Sequence, residues 1–117
     1  MERDPRAYLW DVRECAATIA EFVRDKTFDD YSSNGMLRSA VERQFGIIGE
    51  ALRQLSRLSP EIAARIPECS QVIGFRNILI HGYASIDHAT VWTAIQDSLP
   101  LLEQHASELL TELGETF

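Results

Sequence analysis

Lysine is almost missing from this 117-residue chain: Lys26 is the only one, and arginine supplies every other cation. Cations are scarce altogether, with 11 Lys and Arg against 18 Asp and Glu and a formal net charge of −7. A uniformly acidic surface repels phosphate backbones, so the total charge argues against a nucleic-acid binder. The two cysteines, Cys15 and Cys69, form no CxxC spacing, which excludes a disulfide framework and a zinc ribbon. No apolar run reaches the roughly 18–20 residues of a membrane span. The opening stretch MERDPRAYLWDVRE is charged where a secretory signal has an apolar core. What is present, 45% hydrophobic and 25% charged residues, is the composition of an ordinary globular protein. The expectation is a single domain over residues 1–117, soluble and cytoplasmic, with reduced thiols, no membrane contact and no cofactor.

The charge is unevenly spread. Residues 1–31 hold eight acids and five bases, a net −3; residues 32–83 hold four acids and six arginines, a net +2; residues 84–117 hold six acids and no base, a net −6. A mildly basic middle therefore lies between acidic flanks, and any anionic ligand is expected to meet that middle segment. Arginine's planar fork suits phosphates and carboxylates, and it serves structural ion pairs equally well.

Every long segment has the period of a helix. Asp4 and Pro5 fit the cap and first turn of a helix over about 5–26, with Leu9, Val12, Ala16, Ile19 and Val23 on one stripe. KTFDDYSSNG reads as a connection, with Ser32 or Ser33 capping the next helix. That helix carries the stripe Leu37, Val41, Phe45, Ile48, Leu52 and Leu55. Gly46 and Gly49 interrupt it three residues apart, which predicts a close approach by another backbone or a kink. Ser59-Pro60-Glu61 opens a short turn through Ile66, ended by Pro67. A helix from about Glu68 or Ser70 to His81 contains VIGFRNILI, apolar on several sides and so expected at the centre of a bundle. Gly82 stands like a C-cap. Asp87 caps a last helix bearing Val91, Ile95, Leu99, Leu102, Ala106, Leu109 and Leu113, which Pro100 should kink. The fold expected is an all-α bundle of four main helices plus one short one.

Arg76, Asn77, His81 and Tyr83 interrupt an apolar helix, and buried polar groups without partners cost roughly 1–3 kcal/mol each. A histidine that moves a proton near neutral pH, a permanent cation and a phenol suit phosphodiester chemistry. The same spacing also fits a histidine cap and an Arg–Asn pair that ties helices together. His88 and His105 read as surface residues, and Glu50 as a helix-packing group or a support behind the site. No His, Cys and carboxylate cluster has ligand spacing, so no metal site is expected.

RNILIHGY, an Arg-x4-His-x-Tyr arrangement, resembles the motif of the HEPN superfamily. The remaining blocks, RDPRAYLWDV, AVERQFGIIGEA (Ala40–Ala51), GFRNILIHGY (Gly74–Tyr83) and IDHATVWTAIQDSLPLL (Ile86–Leu102), resemble in order its HepT branch, the toxin half of MNT/HepT toxin–antitoxin systems. The resemblance departs at Gly46, where a larger and often acidic residue is common, and at Cys69, where an aromatic is. It implies a HEPN-like domain that dimerises, two motif helices lining one cleft, and a metal-independent endoribonuclease of the type VII systems acting on RNA. In that reading Arg76 stabilises the scissile phosphate and His81 is the general acid or base for attack by the 2′-OH. Asn77 orients the site. Tyr83 is the residue to which a nucleotidyltransferase antitoxin of the MNT type adds AMP. Met36, Leu37 and the Gly46/Gly49 face are candidates for the homodimer contact, and pairing two protomers through the middle helices is expected to place two Arg76 side chains and their neighbouring arginines in one short electropositive cleft. The competing reading is a catalytically inactive helical regulatory subunit that binds a nucleotide or the nucleotidyltransferase.

Overall fold

The computed structural model describes residues 3–81 and 87–114, the side chain of His81 excepted. The chain runs α1 (Pro5–Phe22), α2 (Phe28–Ser33), α3 (Gly35–Leu58), α4 (Pro60–Ala63), α5 (Cys69–His81), α6 (His88–Thr93), a π-helical turn (Ala94–Ser98) and α7 (Leu99–Leu113). Among the described residues there is no strand. This is the all-α architecture that the periodicity predicts.

α1 starts as read, with the Asp4 carboxylate accepting from the Arg6 N–H and Pro5 in the first turn. It ends at Phe22 instead of about residue 26, because Asp25 adopts a left-handed backbone at φ 59°, a conformation that cannot continue a right-handed helix. The stripe Leu9, Val12, Ala16 and Ile19 is wholly buried. It packs against α3, whose Val41, Phe45, Ile48, Leu52 and Leu55 are buried in turn. α7 covers the other side of α1 through Leu102, Ala106, Leu109 and Leu110. Leu113 falls outside this core and is exposed, Leu110 taking its place.

The stretch read as a connection holds a helix of its own. Thr27 and Asp30 form a reciprocal capping box around α2, so that two backbone donors at the helix start are satisfied at once. Tyr31 is fully buried from it, with its ring 5.5 Å from that of Trp92. The α3 cap is Asn34, whose side chain accepts from the Leu37 N–H, rather than Ser32 or Ser33. Asp87 caps α6 through the Ala89 N–H. The irregularity foreseen at Pro100 takes the form of the π-helical turn just before it. Proline lacks an N–H and its ring crowds the carbonyl four residues back, which here lies inside that turn.

α5 is not central. It packs chiefly against α3, and its other sides leave Ile78 51% and Ile80 38% exposed. Within VIGFRNILI, Ile73, Phe75 and Leu79 are partly buried against the core, while Ile78 and Ile80 lie on sides that the described residues leave exposed. Its inward stripe is Cys69, Val72, Arg76 and Leu79, in steps of 3, 4 and 3, and Phe75 meets Phe45 edge-on at 5.2 Å.

Candidate active site

The second glycine of α3 decides where Arg76 lies. A Cβ placed on Gly49 would stand 2.3 Å from Arg76 Cβ and 2.7 Å from Arg76 Cγ. The arginine stem therefore crosses α3 over a position that no side chain could share with it. Gly46 behaves differently: a Cβ there meets nothing within 4 Å. Of the two glycines, one marks the close approach and the other opens a surface. Gly49 belongs to the chain's own packing and is withdrawn from the candidate dimer face, as Leu37, half-buried against the core, largely is too. Met36 is 86% exposed.

Seated in this way, Arg76 reaches two partners. Its Nη2 lies 3.1 Å from Glu50 Oε2, and its Nη1 donates to Asn77 Oδ1 at 3.2 Å. Its Nε is buried with no partner among the described residues. Glu50 is shared: Gln54 donates to Oε1 at 2.9 Å and Arg53 Nε approaches Oε2 at 3.4 Å. The hydrogen bond from Gln54 holds the Glu50 carboxyl below the ordinary value, burial opposes this, and the charges of Arg53 and Arg76 add to the lowering. Glu50 is thus the group that sequence reading assigned only to packing or support. The signal was present in the sequence as Gly49-Glu50, a residue without a side chain followed by a carboxylate, on the helix opposite the motif.

Arg76 and Glu50 stand on an open groove of about 830 Å³. Its floor is one face of α3, from Ser39 through Arg43, Gly46 and Glu50 to Gln54. Arg3, Tyr8 and Asp11 form the wall on the α1 side, and Arg76, Leu79 and Ile80 the wall on α5. From Ser39 to Gln54 the floor spans sixteen residues of helix, about 22 Å at 1.5 Å per step. Arg3 is held by Asp11 at 2.8 Å and lies 4.7 Å over the Tyr8 ring. Among the described residues the groove carries three arginines (Arg3, Arg43, Arg76) and three carboxylates (Asp11, Glu42, Glu50). The electropositive cleft expected from the charge partition is therefore not made by one chain; its described groove is balanced.

Of the four motif residues, Arg76 and Asn77 meet at the groove wall. His81 is the last residue of α5, about 1.4 turns beyond Arg76, and its side chain lies outside the described residues, as do Gly82 and Tyr83. The other histidines are less superficial than expected. His105 Nδ1 lies 2.9 Å from Glu68 Oε1, binding α7 to the start of α5, and His88 sits edge-on to the Tyr31 ring at 6.4 Å. Cys69 is buried, with its Sγ 3.5 Å from Ser56 Oγ.

An all-α bundle of this architecture, with the arginine of its motif helix facing an open groove and bonded to the neighbouring asparagine, falls in the HEPN-like class. The chain belongs to the HepT-like ribonuclease family, whose profile, described as "Ribonuclease HepT-like", matches residues 12–109. It is similar to a Methanocaldococcus jannaschii protein named "Putative RNase MJ1380", 35% identical over 103 residues that cover 88% of this chain and 94% of the relative. It is also similar to "Probable ribonuclease HepT" of Thermococcus cleftensis, 33% identical over 107 residues, covering 88% of this chain and 93% of that one. No solved structure matches the chain at comparable significance.

Proposed function

We propose that this protein is a metal-independent endoribonuclease and the toxin of a type VII MNT/HepT pair, acting in the cytoplasm as a homodimer. The observation that carries the reading is the position of Arg76: a cation of the family's motif, lodged on a groove wall with donors still unspent. A guanidinium has five N–H groups, and Glu50 and Asn77 engage one each. The Nε–H is buried, and the N–H left on each Nη can bind the non-bridging oxygens of a phosphodiester and the charge they gain in the transition state. His81 takes the proton of the 2′-OH as the 2′-oxygen attacks phosphorus, or gives a proton to the departing 5′-oxygen. The P–O5′ bond breaks and a 2′,3′-cyclic phosphate remains. Asn77 orients the site. Pairing is supported by α5, whose Ile80 is exposed on the groove wall one turn from Arg76; a second motif helix there would cover it and bring a second Arg76 to the cleft. An MNT-type nucleotidyltransferase antitoxin would silence the site by adding AMP to Tyr83, placing bulk and negative charge where RNA enters.

The test is cleavage of RNA by the purified chain in excess chelator. The expected products end in 2′,3′-cyclic phosphate, and Arg76→Ala and His81→Ala abolish them while circular dichroism is unchanged. Absence of cleavage at every protein concentration refutes the enzyme. Growth arrest equal in wild type and in both variants assigns the chain instead to the regulatory-subunit reading. Mass spectrometry of Tyr83 after co-expression with a neighbouring nucleotidyltransferase tests the partner, through a mass gain of whole AMP units.

A further inference from the structure

The arginine at the centre of the proposed site occupies an unusual place. In the stripe Cys69, Val72, Arg76 and Leu79 it stands where an apolar side chain would complete the packing of α5 on α3. Gly49 makes room for its stem, but room alone does not orient a guanidinium, whose long side chain has many rotamers to lose. Three features of Glu50 provide the orientation. It lies on α3 directly after the glycine that Arg76 crosses. Its Oε2 meets Arg76 Nη2 at 3.1 Å. The carboxylate is itself fixed by Gln54 at 2.9 Å and by Arg53 at 3.4 Å, so it acts as an anchored partner and not as a mobile counterion.

We propose that Glu50 is the positioning residue of the site: it holds the Arg76 guanidinium at one fixed angle on the groove wall, leaving the second N–H of each Nη turned to substrate. This inference rests on the ribonuclease reading for its kinetic consequence, and on the geometry alone for its structural one. Glu50 touches no reacting atom in this scheme and acts only through Arg76. The arrangement has a direct chemical logic. A carboxylate on one Nη neutralises part of the arginine's charge before substrate arrives, which weakens ground-state binding of any anion. It also fixes the fork that meets the additional charge developed in the transition state. Preorganisation of that kind raises turnover rather than affinity. Loss of the carboxylate should therefore separate the two, with binding retained and turnover reduced.

Two measurements decide it. In the first, the Arg76 Nε–H resonance of the isotopically labelled protein, assigned by its disappearance in Arg76→Lys, is followed by heteronuclear NOE. A rigid signal is expected in wild type and a shifted, motionally averaged one in Glu50→Gln. In the second, Glu50→Gln is expected to lower kcat for RNA cleavage at least tenfold, with KM and the affinity for a 2′-O-methylated, uncleavable RNA unchanged or improved, and with Tm within a few degrees of wild type. Glu50→Ala should lie below Glu50→Gln in kcat, because glutamine keeps an acceptor oxygen in place. An Arg76 signal equally rigid in Glu50→Gln overturns the proposal, and so does a kcat unaffected by either variant. If wild type cleaves no RNA, it is the ribonuclease reading that fails, and the NMR comparison still decides whether Glu50 holds Arg76.

Discussion

Alanine substitutions at Gly49 and Gly46 should change stability in opposite directions, although both residues are helical glycines one turn apart on α3. In Gly49→Ala the new methyl would lie 2.3 Å and 2.7 Å from Arg76 Cβ and Cγ. These atoms are next to the α5 backbone, so a rotamer change cannot remove the clash. Ordinary contact begins near 3.4 Å, so α5 must retreat by about 1 Å, in an interior packed as densely as a crystal. Overpacking of this kind costs about 1–3 kcal/mol. The helix gains back up to about 1 kcal/mol from replacing glycine by alanine. A contact as close as 2.3 Å with a Cβ belongs to the upper part of that range, so the net is a loss of about 1–2 kcal/mol, and at about 4 °C per kcal/mol for a domain of this size Tm should fall by several degrees. In Gly46→Ala the methyl meets nothing within 4 Å, only the propensity gain remains, and Tm should rise by up to about 4 °C. Thermal melts followed at 222 nm, with urea midpoints as a second measure, read both. Shifts of the same sign, or a Gly49→Ala protein as stable as wild type, would refute the close approach and with it the seat assigned to Arg76. Gly49→Ala should also impair RNA cleavage beyond its effect on folding, since retreat of α5 carries Arg76 away from Glu50.

Three further outcomes follow from the same geometry. Tyr31 is fully buried and its hydroxyl has no partner among the described residues, so Tyr31→Phe should leave stability unchanged or raise it by up to about 1 kcal/mol, whereas Tyr31→Ala should lose about 3–5 kcal/mol; a large loss in the phenylalanine variant, measured by urea unfolding, would show that the hydroxyl is bound. Thr27→Ala removes one half of the capping box on α2 and should cost about 0.5–2 kcal/mol, read in the same melts, with no cost meaning that the box is idle. Hydrogen bonds from the Arg6 side chain and backbone lower the Asp4 carboxyl from 3.8 to about 2; a folded value below the unfolded one means that its stabilisation is present above pH 3.8 and lost as pH falls toward 2. Asp4→Asn, which keeps a capping oxygen, should flatten that part of a stability-against-pH curve, and an unchanged curve would assign the acid sensitivity elsewhere.

The helices and the identity of the motif were legible in the chain. Leu9, Val12, Ala16 and Ile19 repeat with helical period whatever they pack against, and Asp4, Pro5 and Asp87 mark helix starts by local hydrogen bonding. The order RNILIHGY is likewise a property of the sequence. α2 escaped notice because six polar-rich residues look like a loop until Tyr31 is seen to enter the core, and the pull of a core on one tyrosine is not a local property. The place of α5 was misread for a related reason. Apolar residues all round a helix show that it can be covered on every side, not that its own chain covers it.

Sequence by itself determined the long helices, most of the residues on their core stripes and which family's motif the chain carries, because these depend on spacing within about seven residues. Tertiary structure alone decided that Gly49 is the seat of Arg76 and that Glu50 grips it, since these residues are 26–27 positions apart and meet only when α5 lies across α3. It also decided that the groove of one chain is balanced in charge. The basic middle segment is real in the sequence, but of its six arginines folding places only Arg43 and Arg76 on the described groove, beside Glu42 and Glu50 of the same segment and the Arg3–Asp11 pair from the α1 side. Electrostatics follows distance through space, which the order of residues along the chain does not contain.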